Sequence, residues 1–177
     1  MQLSRTVIAQ AAVEILDSYG LADVSMRRVA GSLGVAPGAL YWHIDSKQSL
    51  IAAMADEIIA PVLAGTHAGP KHFCSALREA LLSHKDGADV VSSAAAQPDS
   101  PVFPALVAGV RATLPGDAPE AATAGLIYLT LGAANLHQAG TQLQEITAGE
   151  AAVPYGSGEQ VDAAVELLLA GIEAGAG

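Results

Sequence analysis

The sequence predicts an all-α protein, and three observations support this prediction. Apolar residues recur at intervals of three and four along most of the 177 residues, which is the spacing of one helix face. No segment keeps the alternation of apolar and polar residues that is typical of a strand. Hydrophobic residues make up 51% of the chain and charged residues 15%, a balance that excludes a disordered chain. We therefore expect helices packed around a buried core.

Three short helices are predicted first, at about residues 3–19, 26–33 and 37–44. Ser25 places a hydroxyl at the N-cap position of the second helix, and Pro37 takes the first helical position of the third. Isolated helices of this length are marginal in water, so these three must share a small core.

Six further helices are predicted in the rest of the chain. Asp45 and Ser46 cap the fourth helix, and Pro61 bends or ends it. The eighth helix is apolar on nearly all sides, which predicts a central position in a bundle or a place in an interface. Residues 149–158 are rich in glycine and form a loop before the last helix. The six helices are placed at about residues 45–60, 71–84, 88–96, 102–114, 119–146 and 159–173.

The net charge of −10 is unevenly distributed along the chain. Residues 1–47 contain four basic and four acidic residues, whereas residues 48–177 contain four basic and fourteen acidic residues. Because Lys and Arg supply most of the non-specific affinity for nucleic acid, the acidic part alone would argue against DNA binding. The neutral N-terminal part can still approach an anion such as DNA.

The composition favours a cytoplasmic protein. The single cysteine, Cys74, cannot form an internal disulfide, and no Cys/His cluster predicts structural zinc or an iron–sulfur centre. Polar residues interrupt the apolar runs at the N-terminus, so no signal peptide is predicted. The longest apolar stretch, residues 124–136, is too short to span a bilayer. We expect neither a membrane location nor a cofactor.

The second and third helices carry the spacing of a helix-turn-helix. Ala30 is small enough for the two helices to approach closely, Gly34 permits the positive φ of a tight turn, and Leu40 anchors the second helix of the motif on the shared core. The same pattern also occurs in helical hairpins without a DNA-binding role. The motif therefore predicts the local fold more firmly than the function.

The segment that follows is more specific. Leu-Tyr-Trp-His at residues 40–43, followed by Lys47 and Leu50, resembles the signature of the TetR (tetracycline repressor) family of one-component transcriptional regulators. The likeness covers residues 4–60 strongly and residues 73–136 in patches, whereas the C-terminal part matches only in its helical pattern.

Two of these patches, residues 80–90 and 129–133, resemble the repressor that gives the family its name. The resemblance implies that residues 1–47 form a helix-turn-helix DNA-binding domain and that residues 48–177 form a helical ligand-binding and dimerisation domain. The fourth helix, residues 45–60, would connect the two.

The resemblance also implies roles for individual residues in DNA binding. Arg27 is the expected guanine reader, because a guanidinium can bond O6 and N7 of one guanine together. Gly38 and Ala39 would allow close approach and contact with a thymine methyl group. The remaining contacts would be to sugar and phosphate, which position the helix. The predicted DNA-binding residues are Ser25, Arg27, Arg28, Gly38, Ala39, Tyr41, Trp42, His43 and Lys47.

Several of these assignments have alternatives. Arg27 is alternatively a solvated or phosphate-bound side chain, and one of Tyr41 and Trp42 alternatively belongs to the core. His43 is alternatively a buried, hydrogen-bonded histidine. Because residues 36–39 carry no side-chain donors, we expect sparse direct reading of bases and a contribution from DNA shape.

The larger domain is expected to hold a small-molecule effector. The resemblance implies that Val91, Tyr128 and Leu136 stand where the family's tetracycline-binding members hold Mg²⁺, and none of these residues is a competent ligand for a hard metal. We therefore expect no metal and a largely apolar ligand, oriented by a few polar groups. Alternatively, these side chains simply fill the core. The predicted ligand-binding residues are Leu63, Phe73, Leu77, Val91, Phe103, Leu106, Val110, Tyr128, Asn135, Leu136 and His137.

A homodimer is expected, since a palindromic operator needs two DNA-binding domains. Residues 123–136 and a seam of Val161, Val165, Leu168 and Ile172 are candidates for the dimer interface. The expected function is that of a repressor released from its operator by the effector. The alternative is a DNA-binding-deficient antagonist of a related regulator. An enzyme is not expected, because no catalytic or nucleotide-binding motif stands in a suitable context.

Overall fold

The computed structural model of the chain describes residues 2–116, 118–147 and 155–175. Within these ranges every regular element is helical, so the predicted all-α fold class is confirmed. The helices are α1 (Arg5–Tyr19), α2 (Met26–Ser32), α3 (Pro37–Leu40), α4 (Lys47–Ala64), α5 (Pro70–Leu82), α6 (Gly87–Ala95), α7 (Val102–Arg111), α8 (Glu120–Thr147) and α9 (Gly158–Gly175), with a 3₁₀ turn at Leu21–Asp23. Within these ranges, no helix combines the length and the hydropathy that a bilayer-spanning segment needs.

The chain divides into two compact units. The first unit comprises residues 1–61 and 80–103, and the second comprises residues 62–79 and 104–177. The first unit contains α1 to α3, most of α4, and α6. The second contains α8 and α9 with parts of α5 and α7. The functional division after residue 47 stays a prediction.

The three N-terminal helices share the expected core. Each helix contributes side chains that are almost completely buried, and burying one Leu or Ile side chain stabilises the fold by about 2 kcal/mol. The helix α3, at only four residues, depends entirely on this packing. The core side chains of this region are Ile8, Ala12, Leu16, Val29, Ala30, Leu40, Ile44, Leu50 and Met54.

The predicted ends of α3, α4 and α7 are wrong by three or four residues, and α7 ends at Arg111 rather than at residue 114. The helix α4 continues through Pro61 to Ala64, although Pro61 cannot donate to the carbonyl of Glu57. Pro61 is exposed, so water can solvate that carbonyl, and the buried Ile59 and Val62 hold both flanks of the helix in place. The helix α3 is shorter than predicted, because the chain turns at residues 41–43 before Ile44 re-enters the core.

In the second unit, α9 and the segment before it are held against α5 and α8. The guanidinium of Arg78 donates from two nitrogens to the carbonyl of Gly156, at 3.1 and 2.8 Å. Gly156 has φ +78°, and a Cβ at this position would lie 2.2 Å from the carbonyl oxygen of Ala133. Only glycine allows this approach. Most of the loop predicted at residues 149–158 lies outside the described residues.

The seam predicted for α9 in a dimer interface is partly wrong. Val161 and Val165 are buried within the chain itself, whereas Leu168 is exposed. The helix α9 carries two apolar faces. The predicted seam, with its intervals of four and three residues, mainly follows the face that packs inward. The exposed apolar face of α9 instead carries Ala163 and Leu167.

Candidate nucleic-acid interface

The turn between α2 and α3 is fixed by its backbone. Gly34 has φ +67°, as the motif predicted. The N–H of Val35 donates to the carbonyl of Ala30 at 3.0 Å, and that of Gly34 donates to the carbonyl of Gly31 at 3.2 Å. This pair of bonds is a Schellman motif, which closes α2 and sets the direction of α3. Ala30 is completely buried between the helices, as close approach requires.

Three candidate residues lie at the start of α2 and differ in their surroundings. The hydroxyl of Ser25 accepts from the backbone N–H of Arg28 at 3.2 Å and so caps the helix. The guanidinium of Arg28 forms an ion pair with Asp23 and lies 4.0 Å from the centre of the Tyr19 ring. Arg27 is exposed to solvent.

The candidates on and after α3 form an exposed surface. Leu40 is completely buried and anchors the helix, whereas Gly38 faces open space where a Cβ would stand. Tyr41 is exposed, the indole of Trp42 is 88% exposed, and His43 is exposed as well. The alternatives that place an aromatic side chain or His43 in the core are therefore wrong for this structure.

The N-terminus of α4 completes this surface. The hydroxyl of Ser46 accepts from the N–H of Ser49 at 3.0 Å, which caps the helix as expected. The hydroxyl of Ser49 donates to the carboxylate of Asp45. Hydrogen bonds from Ser49 and then from Ser46 hold the pKa of Asp45 below its ordinary value. Lys47, the first residue of α4, is exposed.

The four basic side chains of residues 1–47 fall into two groups. Arg5 pairs with Asp56 at 3.2 Å, and Arg28 pairs with Asp23. Among the residues that the structure describes, Arg27 and Lys47 form no ion pair. Residues 25–47 therefore combine exposed aromatic rings with two uncompensated positive charges. Such a surface can contact phosphates and base edges.

The candidate ligand-binding residues are distributed over both units. In the first unit, Val91 is completely buried and Phe103 is partly exposed. In the second unit, four candidates are buried, Asn135 and His137 are partly exposed, and three are exposed. The buried ones are Phe73, Leu77, Leu106 and Val110, and the exposed ones are Leu63, Tyr128 and Leu136.

Tyr128 and Leu136 line a groove of about 360 Å³ between α8 and α9. The sequence did not indicate Gln160, which also borders this groove, because nothing distinguishes one polar residue in the first turn of a helix from another. Next to Leu136 in the chain, the Nδ1 atom of His137 is buried and has no hydrogen-bond partner within the described part of the chain. A buried polar atom of this kind is costly unless a water or ligand meets it.

Comparison with known proteins gives sequence matches that include the residues of this surface. The family model described as "Bacterial regulatory proteins, tetR family" matches residues 8–54, which include all nine predicted DNA-binding residues. The class C tetracycline repressor protein of Escherichia coli is 32% identical over 154 residues, covering 78% of this chain and 68% of the repressor.

Solved structures give matches over nearly the full length. BioQ of Mycobacterium smegmatis aligns with a TM-score of 0.80 and 38% identity, covering 98% of this chain and 99% of the BioQ chain. BioQ solved with its natural double-stranded DNA operator aligns with a TM-score of 0.74 and 35% identity, covering 97% and 98% of the two chains.

Proposed function

This chain belongs to the TetR family of DNA-binding transcriptional regulators, and we propose that it acts as a repressor released by a small molecule. In this proposal a homodimer binds a palindromic operator in the cytoplasm. A largely apolar effector then stabilises a conformation that no longer fits the operator.

The exposed indole of Trp42 is the observation that carries the DNA-binding part of the proposal. An indole that is 88% exposed buries little surface in its own chain, so its apolar area stabilises only a complex. It lies in the same short segment as the exposed Tyr41 and Lys47, whose side chains can contact sugar and phosphate. The similarity to BioQ, which was solved with its operator, supports this role.

In the complex we assign one reading residue and several positioning residues. Arg27 reads a guanine, and Gly38 and Ala39 contact a thymine methyl group. His43, Tyr41 and Trp42 contact the sugar–phosphate backbone of the DNA. Ser25 contributes through the cap of α2, and Arg28 contacts a phosphate by exchanging the carboxylate of Asp23 for it.

Retardation and fluorescence test this function together. Trp42 is the only tryptophan, so its emission reports on the proposed interface alone. DNA flanking the protein's own gene should be retarded in a salt-dependent, sequence-selective way and should change the Trp42 emission. Trp42→Ala should weaken retardation, whereas Tyr155→Ala, which removes an exposed aromatic ring in the second unit, should not. Without selective retardation at low salt, the chain would instead be a DNA-binding-deficient antagonist.

The homodimer is proposed from the exposed face of α8. Apolar residues recur on this face at intervals of three and four over most of the helix, which spans 28 residues. Such a long exposed stripe is typical of helices that pair with a second copy in a bundle. The residues of the stripe are Tyr128, Gly132, Leu136, Ala139, Leu143 and Ile146. The exposed Ala163 and Leu167 extend it onto α9.

The effector site is proposed in the second unit. The groove between α8 and α9 shares Tyr128 and Leu136 with the stripe on α8, so in the proposed dimer an effector would lie next to the second copy. The volume of the groove is within the range of small-molecule sites, and its lining is mostly apolar. His137 is not among the residues that line this groove, so the polar side chains that face a ligand there are those of Tyr128 and Gln160. A neutral fluorescent probe, N-phenyl-1-naphthylamine, should bind in competition with the effector. Tyr128→Ala should weaken that binding, and Mg²⁺–tetracycline should not compete.

A further inference from the structure

Two histidines lie outside the surfaces described above, one on the connection between α4 and α5 and one at the start of α5. Nδ1 of His67 is 3.3 Å from Nδ1 of His72, and the ring centres are 5.3 Å apart. His72 lies in the first turn of α5, and Gly69 and Pro70 fold the chain between the two rings. We propose that His67 and His72 chelate a divalent transition-metal ion of the kind that imidazole prefers, such as Zn²⁺ or Ni²⁺.

The separation of the two nitrogens fits a shared ion. With metal–nitrogen bonds of about 2.0–2.1 Å and a tetrahedral angle, two imidazole nitrogens lie about 3.4 Å apart. The observed 3.3 Å is therefore close to the separation that a shared ion requires, and without an ion the two nitrogens form a hydrogen bond in which one of them carries the proton. Binding of the ion would displace this proton while keeping the nitrogens at a similar separation.

His67 is oriented as a metal ligand by its second nitrogen. Nε2 of His67 lies 2.7 Å from the carbonyl oxygen of Val62. A carbonyl oxygen only accepts, so Nε2 carries the proton and the neutral ring keeps its lone pair on Nδ1, facing His72. Metal-binding histidines are commonly held in this way by a backbone carbonyl. The buried Phe73 packs edge-on at 5.0 Å and fixes the same ring.

His72 is free to adopt the matching state. Its ring is exposed, so Nε2 can hold the proton in contact with water while Nδ1 binds the ion. The neighbouring Lys71 does not repel a cation strongly, because its Nζ lies 2.6 Å from a carboxylate oxygen of Glu166 and 3.8 Å from one of Asp162. These three groups together carry one negative charge.

The ion would keep open coordination positions. Within the part of the chain that the structure describes, no third His, Cys, Asp or Glu joins the pair. Water or an exchangeable ligand therefore completes the coordination. A groove of about 350 Å³ borders His72 and is also lined by Lys71, Ser75 and Leu169, so solvent reaches this side. The site differs in ligands and in metal class from a Mg²⁺–drug site.

Calorimetric titration of the full chain without a polyhistidine tag tests the proposal. Zn²⁺ or Ni²⁺ should bind at one ion per chain, and Mg²⁺ should not bind. His72→Gln removes an exposed ring and should lower the affinity by at least about tenfold, because the second imidazole acts at a high effective concentration. His84→Gln removes an imidazole from the first unit and should leave the affinity unchanged.

The nitrogen atoms themselves provide a second readout. In ¹⁵N NMR spectra, Zn²⁺ should shift the Nδ1 signals of His67 and His72 and leave that of His43 in place. Equal affinity for Zn²⁺ in the parent chain and in His72→Gln would overturn the proposal. Zn²⁺ binding no stronger than that of Mg²⁺ would also overturn it and would leave a hydrogen-bonded histidine pair only.

Discussion

Arg27 and Arg28 are neighbours in the chain but are held very differently. Arg28 is paired with Asp23 and stacked against Tyr19, so a phosphate must displace an existing partner to reach it. Arg27 is exposed and forms no ion pair within the described residues, so it meets DNA without that cost. At the residue scale this difference makes Arg27 the stronger candidate for base reading.

Arg27→Ala and Lys47→Ala should therefore have different effects on operator binding. Arg27→Ala should relax base preference at one position of each half-site and cost about 1–3 kcal/mol there. Lys47→Ala should weaken binding to all sequences alike and reduce the salt slope by about one. Binding-site selection and salt titrations measure the two effects. Lys85→Ala, which also removes one positive charge, is the control and should leave base preference intact. If Arg27→Ala lost affinity equally at every base position, this would contradict the role of Arg27 in base reading.

Cys74 should be unreactive in the folded chain. The thiol is buried, and burial raises its pKa, while a hydrogen bond with Thr130 opposes this in part. Ellman's reagent at about pH 8 should react slowly with the native chain and quickly in urea. Because the folded state holds the proton more tightly, stability should also fall as pH rises above the ordinary thiol pKa. Rapid labelling of the native chain would contradict the buried position.

The sequence predicted which residues form the candidate surface better than it predicted their partners. The motif at residues 40–43 identified Trp42, yet its pattern allowed a core position as well as an exposed one. Only the packing of Leu40 and Ile44 decides which side chains of this turn face solvent. Likewise, nothing local to Arg28 indicates Tyr19, because the contact depends on how α1 meets the turn that follows it.

At the scale of elements, the turn between α2 and α3 controls the direction of the candidate recognition helix. Two backbone hydrogen bonds close α2, and Gly34 supplies the left-handed residue that both bonds require. The helix α3 has only four residues and no side-chain N-cap, so little else fixes its start. A change at Gly34 therefore acts on the position of α3 as well as on stability.

Gly34→Ala should lower the free energy of unfolding by roughly 1 kcal/mol, because an L side chain is strained at positive φ. Gly31→Ala is the matched control. Gly31 lies inside α2 with open space where its Cβ would stand, so alanine should stabilise the helix by up to about 1 kcal/mol. Urea unfolding of both variants gives the comparison. If Gly34→Ala and Gly31→Ala changed the free energy of unfolding by the same amount in the same direction, the left-handed conformation of Gly34 would be excluded.

The sequence predicted the caps of these elements more reliably than their lengths. Ser25 and Ser46 were identified from their position before an apolar repeat, and both accept the expected backbone N–H. The end of α4 was missed because a proline is tolerated inside a helix where solvent reaches the freed carbonyl and packing holds the flanking residues. Exposure of Pro61 and burial of Ile59 depend on tertiary packing, which the local sequence does not contain.

At the scale of the whole molecule, the acidic charge and the exposed apolar stripe both favour pairing with a second copy of the chain. A net charge of −10 opposes DNA binding by the single chain, so affinity must come from two neutral N-terminal regions acting together. The stripe on α8 and the exposed Leu167 on α9 provide the surface that can hold two copies together. In this proposal dimerisation is a condition for operator binding.

The sequence predicts α8 and α9 as interface helices, and two of the four residues that it names on α9 are buried within the chain itself. Val161 and Val165 repeat at helical spacing because they pack inside the second unit. On the outer face, a small residue such as Ala163 gives no sequence signal that separates an interface position from an ordinary exposed one. The distinction between inner and outer apolar faces depends on the packing of Arg78 and Gly156 beside α9, which brings together residues distant in sequence.

Substitution at Leu167 tests whether the outer face of α9 pairs two copies. The side chain is 75% exposed in the single chain, so Leu167→Glu should leave folding intact and place a charge in the interface. Light scattering at micromolar concentration should then find a monomer, while Leu167→Met, which keeps an apolar chain and helix propensity, should stay dimeric. The monomer should bind a palindrome no more tightly than a single half-site, because the second contact is no longer linked to the first. A Leu167→Glu chain that remains dimeric and retains its preference for the palindrome would remove this face of α9 from the interface and leave α8 as the surface to test.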